Sequence, residues 1–140
     1  MRNTLILLVV GAIASAVNAA PSVDRELLTA AVGVPTQAVS VTSSDVRGLI
    51  EEITLDVPVA GATGTVSIVA TPEVGAAVVL YTNAALTGAV RLVPRYDGNG
   101  EVSTNGGNYI VLCGDSVRFS VVPVSVTSNV SWKAVIKVTR

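Results

Sequence analysis

Along the last third of the chain, apolar and polar side chains take turns. In "AVRLVPRY" (Ala89–Tyr96), Arg91, Val93 and Arg95 fall on one side, and Val90, Leu92 and Pro94 on the other. In "SVRFSVV", Val117, Phe119 and Val121 oppose Arg118 and Ser120. In "SWKAVIKVT", Trp132, Ala134, Ile136 and Val138 oppose Lys133, Val135 and Lys137. A period of two with one charged side marks strands with one buried face. Trp132, Phe119, Ile136 and Leu92 lie on the uncharged sides and are expected to share one interior. Pro94 and Pro123 donate nothing to a ladder, which assigns them to edges or bulges.

Upstream, "EITLDVPV" and "GTVSIVAT" are β-branched runs joined by the loop "AGATG". "GAAVVLYT" reads as a further strand, with "NAALT" as the turn or loop after it. Glycine- and asparagine-rich points mark the other turns. They are "DGNG" at Asp97–Gly100, "NGGN" at Asn105–Asn108, Gly114–Asp115 in "CGDS", and "TSN" at Thr127–Asn129. Only "SVDRELLTAAV" (Ser22–Val32) predicts a helix. Ser22 is the cap, Asp24 and Glu26 favour the first turns, and Gly33 with Pro35 ends it. "SSDVRGLIEE" (Ser43–Glu52) has room for one more helical turn, interrupted by Gly48. The expected fold is therefore mainly β: an antiparallel β-sandwich or small jelly-roll-like barrel of about seven or eight strands with one short N-terminal helix. The expected organisation is a leader over 1–19, a short helix and connecting segment over 20–50, and a β-sandwich domain over 51–140.

The first stretch has its own logic. Arg2 precedes the apolar run Leu5–Ala14, and Val17 and Ala19 occupy the small-residue positions before a cut after Ala19. That is the layout of a secretory signal peptide. A retained membrane anchor or assembly arm is the other reading. The uncharged stretch Asn3–Val23 is long enough for it, although its strongly apolar part falls short of a full span. Membrane contact would then run through residues 4–20.

Composition narrows the function. Half of the 140 residues are hydrophobic and only 14% are charged, against a usual charged fraction of about 25%. So little charge fits burial against neighbouring subunits, as in an oligomer, shell or filament, and equally a compact valine-rich sandwich core. The net charge of -1 and the lack of a basic block argue against nucleic acid. Cys113 is the only cysteine, which excludes an intrachain disulfide, and the strand-like "YIVLCGD" predicts that it is buried.

No catalytic, cofactor-binding or metal-ligating residue is assigned. The chain has no histidine, which removes Ser-His-Asp and Cys-His catalysis and the commonest metal ligand. With one cysteine, a structural zinc site is untenable. Asp97, Asn99 and Glu101 begin like a calcium loop, but Val102 stands where that loop needs glycine and Asn108 where it needs glutamate. Glu51 and Glu52 are adjacent, so in a regular strand they point to opposite faces and do not converge. "NVS" at Asn129–Ser131 fits a glycosylation acceptor. Arg91, Arg95 and Arg118 form one cationic face only if their strands are neighbours, and a solvated sheet face is the plainer expectation.

The stretch "LYTNAALTGAVRLVPRYDGNGEVSTNGGNYIVLCGDSVRFSVV" resembles small β-sandwich proteins of phage virions, such as capsid decoration or spike-base modules. The likeness covers about residues 75–140. It implies a structural role by protein–protein packing, with copies of the chain and neighbouring structural proteins as partners, no cofactor and no catalysis. A leader suits a virion that carries a membrane. It equally suits an exported bacterial β-sandwich domain for binding or adhesion, in the periplasm or outside the cell.

Overall fold

The computed structural model describes residues 22–32, 37–57, 62–97, 99–126 and 129–140, and the leader over 1–19 lies outside them. Among the described residues the fold is mainly β. Ten strands occur: β1 (Val23–Val32), β2 (Val39–Asp56), β3 (Thr63–Thr71), β4 (Val78–Leu86), β5 (Val90–Leu92), β6 (Arg95–Tyr96), β7 (Val102–Ser103), β8 (Asn108–Tyr109), β9 (Val111–Ser125) and β10 (Val130–Thr139). All pairings are antiparallel. A seven-stranded sheet runs β1-β10-β2-β9-β3-β4, with β5 added to β2, and a three-stranded sheet runs β7-β6-β8.

The long strand β2 joins two halves of the large sheet. Leu49 pairs with Thr139 on one side and Val111 on the other, and Ile53 pairs with Ile136 and Leu92. One flank of β2 is thus held by β10, and the other by β9 and then β5. Between the halves the backbone bends. Asp45 (φ 59°) and Gly48 (φ 126°) have left-handed conformations, and the register shifts around Val46. Gly48 is required twice over, because a Cβ there would sit 2.6 Å from the Thr139 carbonyl oxygen.

The sheet curls over its own apolar face. Trp132 of β10 presses on Gly64 of β3, where a Cβ would lie 3.2 Å from the indole ring, yet β2 and β9 separate these strands in the sheet. The enclosed core contains Trp132, Phe119, Ile50, Ile53, Ile68 and Ile136, each 1% exposed or less. The four residues expected to share the interior, Trp132, Phe119, Ile136 and Leu92, are all buried in it. Pro123 stands beside the register shift between Thr63 and Gly64, where a residue without an N–H is tolerated.

Several expectations need correction. The helix over Ser22–Val32 is strand β1 in the structure, paired with β10 from Val23↔Thr139 to Val32↔Val130. Its sequence also fits a period of two, with Leu28 and Ala30 buried and Val23, Leu27 and Thr29 exposed. An isolated helix this short is marginal in water, whereas the edge of β10 offers a full ladder. Gly33 and Pro35, its expected stop, lie outside the described residues. "SSDVRGLIEE" belongs to β2, its turn-forming residues supplying the bend. β2 also runs unbroken through residue 50, where the connecting segment was expected to end. "NAALT" is not a separate turn, because β4 continues to Leu86. Gly114–Asp115 is no hairpin turn: β9 runs straight through it. Gly114 (φ 96°) makes a bulge there, and burial steps from Leu112 to Asp115.

The "DGNG" turn does join a hairpin, β6 to β7. The Asp97 carboxylate accepts the Asn99 and Glu101 amides at 2.8 and 2.9 Å. "NGGN" does something else. β7 and β8 flank β6 on opposite sides, so this segment carries the chain across the end of β6. Gly106 passes so close to Tyr96 that a Cβ would collide with its carbonyl oxygen.

Candidate functional site

Bulges decide which side chains meet on the outside. In β2 the burial order is Ile50 in, Glu51 and Glu52 partly out, Ile53 in, and the register with β10 shifts between Lys137 and Val138. The extra residue carries both carboxylates to the outer face, which corrects the expectation that they diverge. Glu51 binds Lys137 Nζ at 2.6 Å and accepts the Thr139 hydroxyl. Glu52 binds Arg91 Nη2 at 2.5 Å and accepts Thr54 Oγ1 at 3.0 Å. The hydrogen bond from Lys137, then that from Thr139, holds the Glu51 carboxyl below its ordinary range, and Arg91 does the same for Glu52. Each carboxylate is committed to cations and hydroxyls, and the cluster is a surface weld between β2, β10 and β5.

The three arginines do not form one face. Arg91 stands opposite Thr54 and Arg118 opposite Thr42, towards opposite ends of β2. Arg95 donates to the Ile50 and Pro94 carbonyls at 3.0 and 2.8 Å. Its guanidinium lies 4.1 Å from the centre of the Tyr109 ring. These contacts tie the small sheet to β2. Cys113 is exposed, against expectation. Ile110 and Leu112 take the inward positions, so the odd-numbered Val111 and Cys113 face out. Among the described residues, no three Asp, Glu or Cys side chains come together as metal ligands.

Two surfaces stand out. The first is the outer face of β9, β3, β4 and the start of β2. Ser40, Ser120, Ser67 and Thr82 form one cross-strand row, each paired with the next. Ser40 and Ser120 share a hydrogen bond of 2.8 Å. A second row is Thr42, Arg118 and Val69, with Val79 beyond it. Val79, Val122 and Val124 are about half exposed or more. Within residues 39–43, 63–71, 78–86 and 116–124, Arg118 is the only charged side chain.

The second surface is a groove between β4 and the small sheet. One part, of about 370 Å³, is floored by Leu80, Leu92 and Pro94 and walled by Tyr81 and Val102. The adjoining part, of about 520 Å³, is lined by Val78, Val79, Tyr96 and Glu101. Comparisons with protein-family models, curated proteins and solved structures return no match.

Proposed function

We propose that this chain is a structural virion subunit of the minor capsid, decoration or spike-base kind, built as a β-sandwich that packs against copies of itself and neighbouring structural proteins. One observation carries the reading. A face spanning four strands presents hydroxyls and valines with Arg118 as its single charge. A face of that kind packs on a neighbour with little desolvation of ions, and its hydroxyls both donate and accept. The contact of Trp132 with Gly64 across the interior supports the sandwich form. The resemblance over residues 75–140 supports the virion setting, and residues 4–20 are proposed as the membrane contact that goes with it. No catalytic or cofactor role is proposed.

The test is sedimentation and light scattering of the full-length chain, with and without mild detergent. Specific assemblies are expected. Ser67→Glu with Ser120→Glu, which charges the centre of the face, should shift them to smaller species while leaving the strand signal in circular dichroism unchanged. A monomer in both preparations, with no structural partner recovered from the native source, overturns the reading. The groove between β4 and the small sheet favours a second reading, an exported bacterial β-domain that binds a ligand in the periplasm or at the cell surface. Arg95→Ala should then weaken binding by loosening the groove wall.

A further inference from the structure

The large sheet has two outer edges, and they are built differently. The β4 edge is blunted. Its pairing with β3 shifts register twice, Asn83 Oδ1 takes the Ala85 amide, Thr65 donates to the Ala84 carbonyl, and the small sheet stands beside it. The β1 edge is regular and uncovered by any described strand, and its only defence is the charge of Asp24, Arg25 and Glu26 in its first half. Its pairing with β10 runs from Val23 to Val32 without a shift, and it contains neither proline nor lysine. No described strand pairs with its far side.

The hydrogen-bond phase shows which groups are open there. Ser22 and Arg140 exchange both backbone bonds, at 3.2 and 2.9 Å. Antiparallel bonding alternates, so the even-numbered residues of β1 bond to β10. The odd-numbered residues Val23, Arg25, Leu27, Thr29 and Ala31 aim N–H and C=O away from the sheet. Leu27, at the middle of the strand, is 60% exposed.

We infer that two copies of this chain join through β1, antiparallel about a two-fold axis at Leu27, making one continuous sheet across the pair. This register sets Leu27 against Leu27 of the second copy, Arg25 against Thr29 and Val23 against Ala31. It uses every open odd position and opposes no like charges. A parallel pairing would stack Asp24 on Asp24 and Arg25 on Arg25, and an axis at Arg25 would oppose the two guanidiniums. Identical, self-matching patches are what a two-fold contact requires. The inference rests on the structural-subunit reading and names one of its contacts.

Cross-linking of the full-length chain in mild detergent tests it, in a Cys113→Ser background. Directly bonded antiparallel partners have Cα atoms about 5.5 Å apart, within disulfide reach. Leu27→Cys should give a covalent dimer under oxidation. Arg25→Cys and Thr29→Cys should cross-link when mixed but not alone. Leu27→Pro removes an outward N–H and no bond to β10, and Leu27→Lys places a charge on the edge. Each should abolish the pair and keep the strand signal, and the lysine variant decides the matter if the proline variant does not fold. Absence of the Leu27→Cys dimer, or a pair that survives Leu27→Lys, overturns the β1 contact. If larger assemblies persist in that case, the structural-subunit reading stands without it; if the parent chain is monomeric throughout, both fall.

Discussion

Trp132 is buried, and among the described residues its indole N–H has no hydrogen-bond partner. Its ring fills the space over Gly64, so Trp132→Ala should cost ~3–5 kcal/mol in urea unfolding. Trp132→Phe loses less volume and removes the orphaned donor, so it should cost well under half as much. The Glu51 and Glu52 carboxyls have native pKa values below their ordinary 4.5. A depressed native value stabilises the fold above the unfolded value and loses that contribution as pH falls through the native one. Glu51→Gln with Glu52→Gln should therefore flatten the acid limb of a plot of stability against pH below about 4.5. An unchanged acid limb would show that other carboxylates govern acid unfolding.

At the scale of elements, glycines and bulges set the path of the chain. Gly48→Ala meets both a left-handed φ and the Thr139 carbonyl, so a loss of roughly 1–3 kcal/mol is expected in the same unfolding measurement. Gly106→Ala strikes Tyr96 in the small sheet only. Hydrogen exchange should show faster opening of β6–β8 with the large sheet unchanged. These positions also explain what could be read from sequence. The alternation in β10 and around Phe119 has a single phase, and its buried face was legible. In β2 the inward phase moves from odd to even at the Asp45–Gly48 bend and back to odd after Glu52. A period-two reading fails there, and with it the convergence of Glu51 and Glu52 was missed. Turn chemistry in "CGDS" was real but served a bulge, because glycine at positive φ fits both uses. The β1 helix was misread because Leu27 and Leu28 suit either period, and only β10 chooses between them. The low-charge face was half visible: the scarcity of charge is in the sequence, but the adjacency of Ser40, Ser120, Ser67 and Thr82 requires the pairing register.

For the whole molecule, the order of strands matters more than any single contact. β1, first among the described strands, is partnered by β10, the last, with Val23 against Thr139. β10 also holds one flank of β2. Neither early strand can complete its ladder until β10, the last of the described strands, has been made. During synthesis, β1 must wait with its backbone groups still bonded to water. Pairings this distant in sequence fold slowly, in milliseconds to seconds. Trp132 sits in the closing strand and is the only tryptophan, so its fluorescence is a clock for that last step. Stopped-flow refolding should show the indole signal lagging behind strand formation around β3 and β9, and a chain ending before Val130 should yield a loose collapsed state instead of a slightly frayed native one.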